Sequence, residues 1–324
     1  MLEQDPRSTE YAHKDRAVPT MRTNPSKKEI AAAIRVLKQA PFLEVQRMGY
    51  HFQANNFYSP LNDCDFLSQN PDLWKDRGIP REIDWNKDLQ IETARTVSEF
   101  VDELRDVPNK PSRLPLRFGW DNNFWNNADA LVQYGLIRSM APRRFVEIGC
   151  GWSSLLLAKA LRRNGQECQV TQIEPYPNRA IFDQLPDQWQ HYECILQRAE
   201  FRIFEELSEG DICFYDGSHC VKTGSDVVWF FFEVLPRLKP GVLIHLHDIF
   251  LPEPYPDDWI YERGQTWNEQ DLLRGFLMHN RQYEILIANR YLWHEESDLL
   301  SSLYKQVQPG HGCSFWMRKL RANP

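Results

Sequence analysis

The chain lacks the sequence features of several common protein classes. None of its apolar runs approaches the roughly 18 residues that a transmembrane helix needs, and the longest, Val227–Leu235, contains Glu233. Its N-terminus, MLEQDPRSTEYAHKD, has no apolar segment of the kind that marks a secretory signal. We therefore expect a cytoplasmic protein that neither crosses nor binds a membrane.

Two further absences concern paired cysteines and positive charge. Seven cysteines are scattered along the chain without a Cys-x-x-Cys pair, which excludes a zinc finger or a disulfide scaffold and indicates reduced thiols. Asp and Glu number 45 against 38 Lys and Arg, for a net charge of −7. Because a surface of that sign repels a phosphate backbone, we expect a small-molecule substrate rather than a nucleic acid.

The character of the sequence changes near residue 115. Pro108, Pro111 and Pro115 form a stiff connector, and we place a domain boundary there. Residues 1–115 are predicted to be a mostly helical lid region, which is also the candidate for contacts between copies in a homo-oligomer. Residues 116–324 are predicted to form the ligand-binding domain.

Strand and helix patterns alternate along the second domain. This alternation indicates an α/β fold with a largely parallel, Rossmann-like sheet and helices on both faces. In such sheets ligands bind beyond the carboxyl ends of the strands. The strands are expected at residues 144–148, 169–173, 195–197, 211–215, 241–247, 283–288 and 314–318.

A glycine-rich turn follows the first of these strands. Glu147, Gly149 and Gly151 lie in the sequence EIGCGWSS, and glycines at such a turn let a ligand approach the backbone closely. A dinucleotide site would have a third glycine where this chain has Ser154. Glu174 closes the next strand, where a carboxylate can accept hydrogen bonds from both hydroxyls of a ribose. An NAD-dependent dehydrogenase or epimerase therefore fits less well, and the chain also has no Tyr-x-x-x-Lys pair.

The pattern Glu147-x-Gly149-x-Gly151 followed by Glu174 resembles the class I S-adenosylmethionine-dependent methyltransferases. The later sequences DGSH, LKPG and HD are similar to a bacterial subfamily whose members methylate macrolide sugars or act in cephalosporin biosynthesis. The resemblance covers residues 50–300 approximately. It implies the Rossmann-like sheet of that class, with S-adenosylmethionine held by the glycine turn and the two glutamates.

The same resemblance implies further contacts with the cofactor. Trp152 and Ser153 directly follow the glycines, and Asp216 ends a later strand, so all three are expected at the S-adenosylmethionine pocket. Tyr58, in the sequence NFYSP, is expected to reach over the sulfonium or the substrate, since aromatic faces attract cations. For Trp152 and Tyr58 ordinary packing is the alternative.

Asp216, His247 and Asp248 lie at two strand ends that the class I topology makes neighbours. By resemblance they occupy the positions of a divalent-metal site, in which the relatives have glutamate at the position of His247 and bind magnesium. Carboxylates combined with an imidazole also suit manganese, iron or zinc. The candidate metals are therefore Mg, Mn, Fe and Zn.

His219 corresponds to the proposed general base of the relatives, with Asp216 as its catalytic partner. Such a base would make the rate rise with pH through a pKa near ~6.5, the ordinary value for an imidazole. The alternative is that His219 only hydrogen-bonds the backbone or caps a helix. His245, two residues before its strand end, is expected to hydrogen-bond within the sheet.

Together these residues predict an enzyme that uses S-adenosylmethionine to O-methylate a small hydroxylated natural product or sugar in secondary metabolism. One alternative uses the same cofactor differently, cyclising S-adenosylmethionine and releasing methylthioadenosine without any acceptor. A module that binds the cofactor but turns nothing over is a further alternative.

Overall fold

The computed structural model describes residues 24–75, 77–113, 116–125, 127–304 and 311–320. Its strands are β1 (Ser112–Arg113), β2 (Leu116–Arg117), β3 (Arg144–Ile148), β4 (Gln169–Ile173), β5 (Gln190–Tyr192), β6 (Ile212–Tyr215), β7 (Leu243–Leu246), β8 (Tyr283–Ala288) and β9 (Phe315–Lys319). Its helices are α1 (Lys27–Leu37), α2 (Phe42–Arg47), α3 (Cys64–Gln69), α4 (Lys87–Ser98), α5 (Asn127–Met140), α6 (Trp152–Asn164), α7 (Arg179–Phe182), α8 (Arg202–Glu205), α9 (Asp226–Trp229), α10 (Leu235–Arg237), α11 (Asp257–Tyr261), α12 (Glu269–Leu277) and α13 (Asn289–Leu303). Within these described ranges, no helix has both the length and the apolar character that a membrane span requires.

The chain divides into two compact units, Met1–Asp63 and Cys64–Pro324. The described part of the first unit contains α1 and α2, so the predicted helical character of the N-terminal region is confirmed. A capping box starts α1: the Ser26 hydroxyl accepts a hydrogen bond from the Glu29 backbone N–H, and the Glu29 carboxylate accepts one from the Ser26 N–H.

The domain boundary predicted at residue 115 differs from the division in the structure. α4 belongs to the second unit, where Ala94 and Val97 are fully buried. The Gln90 side-chain oxygen accepts a hydrogen bond of 2.9 Å from the Ala288 N–H at the end of β8. These contacts tie α4 to the sheet, so the proline-rich stretch lies within one unit. Outside the described residues lie Pro115 of the predicted connector and residues 1–23 of the predicted lid region.

The larger sheet has the strand order β5-β4-β3-β6-β7-β9-β8, with β9 antiparallel to both of its neighbours. The predicted Rossmann-like α/β sheet is therefore confirmed. Its register pairs Ile148 with Ile173 and with Tyr215, and Tyr215 with Leu246. The carboxyl ends of β4, β3, β6 and β7 consequently meet at one edge of the sheet.

The central strands are apolar because both of their faces are covered. Phe145 in β3, Phe214 in β6 and Ile244 in β7 are fully buried in the main hydrophobic core. A continuous apolar run is typical of a buried parallel strand. α6 runs back from the carboxyl edge of the sheet and ends at Asn164. The next residue, Gly165, has a φ of +68°, the left-handed conformation that is common after a helix.

Two sequence-based expectations about elements were wrong. The strand expected at 195–197 is a 3₁₀ turn, Leu196–Arg198, and the strand that pairs with β4 is Gln190–Tyr192. All three residues of that edge strand are exposed, so it has no apolar pattern to reveal it. The sequence analysis also missed α13, which is kinked at Glu296.

The close approach of α4 to α5 can be tested at Gly135. A methyl group added there would lie 2.7 Å from Val97 Cγ1 and 2.8 Å from Val97 Cα. We expect Gly135→Ala to lower the thermal unfolding midpoint, because overpacking a core contact costs about 1–3 kcal/mol.

Gly275→Ala in α12 is the matched control. A Cβ at Gly275 meets nothing within 4 Å, and alanine stabilises a helix interior by roughly 0.5–1 kcal/mol over glycine. This variant should melt no lower than the wild type in a circular dichroism scan. A Gly135→Ala protein that melts with its control would contradict the tight α4–α5 contact.

Candidate active site

The glycine turn between β3 and α6 is fastened to the two neighbouring strands. Gly149 has a φ of +78°, and a Cβ on it would stand 1.8 Å from the backbone oxygen of Asp216. The Gly149 N–H donates to the Ile173 carbonyl at 3.1 Å, and the Asp216 N–H donates to the Ile148 carbonyl at 2.9 Å. Only glycine fits this position, for both steric and conformational reasons.

Beyond Gly149 the turn opens. A Cβ on Gly151 would meet nothing within 4 Å, which leaves room for a ligand against the backbone. Trp152 is half-buried at the start of α6 and packs against the main core. Ser153 is buried, and its hydroxyl points at Glu147, so its side chain supports the turn from below.

Glu147 lies beneath the turn rather than on its open side. Its side chain is fully buried, and its carboxylate accepts hydrogen bonds of 2.8 Å from each of the Ser153 and Ser154 hydroxyls, and another from Gln172. Burial outweighs these donors and raises the pKa of Glu147 to about 7. The direct cofactor contact expected of Glu147 therefore differs from its place in this structure, where it holds the start of α6.

Glu174 joins the end of β4 to the glycine turn. One carboxylate oxygen accepts from the Cys150 N–H at 3.0 Å, and the other accepts from the Tyr176 N–H at 2.7 Å. Burial, only partly offset by these two hydrogen bonds, raises the pKa of the carboxyl group. The glycine turn and Glu174, which the sequence analysis assigned to one pocket, are thus in direct contact.

Asp216, His247 and Asp248 come together as predicted. His247 Nδ1 lies 3.6 Å from one oxygen of Asp216 and 3.6 Å from one oxygen of Asp248. The three candidate ligand atoms all lie within 4.8 Å of one another. Two carboxylate oxygens and an imidazole nitrogen at this spacing form a donor set suited to a divalent metal.

The charges in this group shift one another's pKa values. Burial disfavours the imidazolium of His247, but Asp248, Asp216 and Asp129 outweigh it and raise its pKa to about 9. Burial likewise opposes ionisation of Asp216, yet the charges of His247 and His219 hold its pKa below the usual value. The fold therefore favours an ionised aspartate beside a protonated imidazole.

His219 faces the same two aspartates from the other side. Its Nε2 lies 3.4 Å from Asp216 and 3.6 Å from Asp248, and its Nδ1 lies 2.9 Å from the carboxylate of Glu269. The ring of Trp267 lies against it, with 4.2 Å between centroids. The backbone oxygen of His219 also accepts from the Glu269 N–H at 3.2 Å.

The pKa of His219 departs from the sequence-based expectation. Burial lowers it, but Asp216, Glu269 and Asp248 together raise the pKa well above that of a free imidazole. The structure therefore favours a rate that rises at a higher pH than the ordinary imidazole pKa, because the surrounding carboxylates keep His219 protonated to a higher pH.

Some site residues were absent from the sequence analysis. Glu269 and Asp129 are fully buried beside the two histidines, and Cys313 is buried next to them. Glu269 begins α12, about 50 positions from its partner His219. No local motif marks these residues, because the fold brings them in from distant segments.

The structure also describes the positions of His245 and Tyr58. His245 is buried within the sheet, where its Nε2 lies 3.1 Å from the Ser314 hydroxyl, as expected. Burial and the charge of His247 lower its pKa well below the usual value. Tyr58 lies in the first unit with its ring edge-on to Phe57, and its contact with a cofactor remains a prediction.

Residues 146–249 match the family described as a methyltransferase domain. An uncharacterised protein of Archaeoglobus fulgidus is 29% identical over 138 residues, which cover 41% of this chain. The match spans 62% of the length of that relative.

Solved structures with similarity to this chain include an SAH-bound methyltransferase of Podospora anserina. It is 14% identical, with a TM-score of 0.39, covering 83% of this chain and 99% of its own. The plantazolicin methyltransferase BpumL in complex with SAH is also 14% identical, with a TM-score of 0.37, covering 71% and 96% of the two chains.

The raised pKa of Glu147 predicts a pH-dependent stability. The folded chain keeps a proton up to a pH of about 7, whereas the ordinary value is 4.5. Between these pH values the unfolded chain loses a proton that the folded chain retains, so the contribution of Glu147 to stability falls as pH rises. A shift of this size corresponds to about 3 kcal/mol.

Glu147→Gln stays neutral at every pH and isolates the effect. The free energy of unfolding of the wild type, relative to this variant, should fall by about 3 kcal/mol as the pH rises through that window. Urea denaturation at a series of pH values measures it. A difference that stays constant with pH would mean that Glu147 titrates normally.

Proposed function

We propose that this chain is a class I S-adenosylmethionine-dependent methyltransferase, in keeping with the methyltransferase-domain match of residues 146–249, and that it transfers a methyl group to an oxygen of a small hydroxylated molecule. The observation that carries the proposal is the meeting, at one sheet edge, of the glycine turn and Glu174 with the Asp216–His219 pair.

The cofactor side of the proposal uses the turn and Glu174. A carboxylate has about four acceptor sites, and the two backbone hydrogen bonds on Glu174 leave the others for ribose hydroxyls. The open space at Gly151 suits close backbone approach, and Trp152 borders it. When bound, S-adenosylmethionine supplies a methyl group on a sulfonium, ready for attack by a nucleophile.

The acceptor side uses His219 and the carboxylates around it. An alcohol oxygen is a poor nucleophile until its proton begins to leave. His219 Nε2, which lies 3.4 Å from Asp216 and 3.6 Å from Asp248, is placed to take that proton once the imidazole is neutral. Glu269, hydrogen-bonded to Nδ1, orients the ring and stabilises the imidazolium that forms.

The residues present also fit a divalent metal. Asp216, Asp248 and His247 Nδ1 would hold it, and Asp129 lies 3.5 Å from His247 Nε2, which is the usual position of a carboxylate that orients a ligating histidine. A cation there supplies charge that lowers the pKa of a bound hydroxyl. It would also offset the two negative charges that now raise the pKa of His219.

The class of acceptor is suggested by the aromatic side chains next to His219. Trp267 lies on its ring and contacts Trp259 edge-on, with Tyr255 beside both. Pockets lined by aromatic side chains with a few placed polar groups bind compact organic ligands. A sugar or another cyclic hydroxylated metabolite would present flat apolar faces to this group and hydroxyls to His219.

Cofactor affinity provides the first test. Glu174→Ala removes the acceptor for two ribose hydroxyls, each hydrogen bond contributing about 0.5–1.5 kcal/mol or more with a charged partner. Calorimetry should show S-adenosylhomocysteine binding at least about ten-fold more weakly. Glu92→Ala, an exposed change in α4, is the control. Unchanged affinity in Glu174→Ala would refute this placement of the pocket.

Turnover provides the second test. Incubated with S-adenosylmethionine and a panel of hydroxylated acceptors, the protein should form S-adenosylhomocysteine and a methyl ether, and neither without an acceptor. His219→Ala should lower turnover by about 10²–10⁴-fold with little change in cofactor affinity. In the wild type the rate should still be rising above neutral pH, and this rise should be absent from the variant.

His294→Ala, an exposed change in α13, is the control for the histidine variant. Methylthioadenosine formed from S-adenosylmethionine without an acceptor would indicate cyclisation and contradict methyl transfer. Full activity of His219→Ala at neutral pH would show that His219 is not the base.

A further inference from the structure

Behind the proposed metal ligands lies a second group of potential ligands, which we call the inner trio: Asp129, His247 and Cys313. They come from α5, from the residue after β7 and from the segment before β9. All three side chains are buried, with relative exposures of 0%, 5% and 8%. The trio uses His247 Nε2, the ring nitrogen opposite to the one that faces Asp216 and Asp248.

The spacing within the inner trio is nearly equilateral. His247 Nε2 lies 3.5 Å from Asp129 Oδ2 and 3.6 Å from Cys313 Sγ, and Cys313 Sγ lies 3.6 Å from the same Asp129 oxygen. A tetrahedral ion whose ligands lie at about 2.0–2.3 Å sets its ligand atoms roughly 3.3–3.7 Å apart. The three edges fall within that range.

The hydrogen bonds of Asp129 leave one oxygen for the trio. Its Oδ1 accepts from Asn289 Nδ2 at 2.8 Å, from the Cys313 N–H at 2.8 Å and from the Ser314 N–H at 2.7 Å. Its Oδ2, with a longer contact of 3.1 Å to the Cys313 N–H, faces His247 and the thiol. Ligating carboxylates are commonly held in this way by outer hydrogen bonds.

His247 is supported in the same manner. Asp216 and Asp248 lie at its Nδ1, where a carboxylate orients a histidine that ligates through Nε2. Trp125 lies against the ring, with 4.5 Å between centroids. Both polar ligands of the trio therefore have fixed orientations before any ion is added.

We propose that the inner trio is a binding site for a thiophilic divalent cation such as Zn²⁺. Sulfur, imidazole and carboxylate are the usual zinc ligands, whereas Mg²⁺ prefers oxygen. When they ligate, the thiol of Cys313 and the protonated His247 at its Nε2 each give up one proton to solvent. The bound ion would link α5 to the end of β7 and to the segment before β9.

The inner trio goes beyond the proposed function and competes with it for His247. An imidazole that ligates through Nε2 keeps its proton on Nδ1, and the outer group then loses its nitrogen donor. An ion in the inner trio would therefore leave Asp216 and Asp248 to hold the outer ion with oxygen alone.

Cobalt provides the decisive probe, because a Co²⁺–thiolate bond gives a charge-transfer band in the near ultraviolet. Full-length protein, treated with a chelator and titrated with Co²⁺, should develop this band, and Zn²⁺ but not Mg²⁺ should abolish it. Cys313→Ser should lack the band. Cys168→Ser, at the opposite edge of the sheet next to β4, should keep it, and so should Asp216→Asn.

Two outcomes would overturn the proposal: a wild type without the band, or a band that survives in Cys313→Ser. Cobalt binding that is lost in Asp216→Asn but kept in Cys313→Ser would place the ion in the outer group instead. Methyl transfer is measured separately, so either idea can fail without the other.

A second measurement does not depend on the folding of a variant. Zinc-edge X-ray absorption of the wild-type protein loaded with one equivalent of Zn²⁺ should show one sulfur neighbour at about 2.3 Å with nitrogen and oxygen neighbours at about 2.0–2.2 Å. A shell without sulfur would mean that the inner trio is a hydrogen-bonded cluster and not a metal site.

Discussion

Two buried imidazole groups hold four carboxylates together at the carboxyl edge of the sheet. His219 bridges Asp216, Asp248 and Glu269, and His247 contacts Asp216 and Asp248 on one side and Asp129 on the other. Buried charges of one sign are strongly unfavourable unless they are paired. With every group ionised, the formal charge of these six side chains is −2, which one divalent cation would neutralise.

This charge pairing depends on backbone conformations that most residues avoid. Gly149, His219 and Asp248 all have positive φ angles, of +78°, +57° and +53°. For a residue with a Cβ, such a conformation costs of order 1–3 kcal/mol and persists where the surroundings enforce it. The strained residues lie where three strand ends meet. Their backbone conformation turns the side chains of His219 and Asp248 toward the shared cluster.

In the proposed function, the same edge separates cofactor binding from proton transfer. On the side of β3 and β4, Glu174 accepts hydrogen bonds from two backbone N–H groups, and its remaining acceptor sites suit a neutral, hydroxylated ligand such as a ribose. On the side of β6 and β7, the imidazoles and aspartates offer charge and proton transfer. Asp216 lies between the two, since its backbone packs on Gly149 and its carboxylate contacts both histidines.

Much of the fold and part of the site could be predicted from local sequence. Apolar runs such as RFVEI and ICFY identify buried strands because both faces of a central strand are covered. The edge strand Gln190–Tyr192 escaped prediction because its exposed residues follow no apolar pattern. The division into units differs from the predicted boundary because prolines report local stiffness, whereas the burial of α4 depends on contacts with β8 and α5.

The sequence by itself determined which chemical groups stand at the strand ends: the glycine turn, Glu174, Asp216, His219, and the pair His247 and Asp248. These follow from adjacency along the chain, and parallel pairing carries them to a common edge. Only the tertiary structure decided what surrounds them. Glu269, Asp129 and Cys313 reach the histidines from α12, α5 and the approach to β9. The carboxylate charges gathered there outweigh burial and raise the pKa of both histidines. Contacts between residues so far apart in the chain leave no local pattern, because they form only when the helices pack on the sheet.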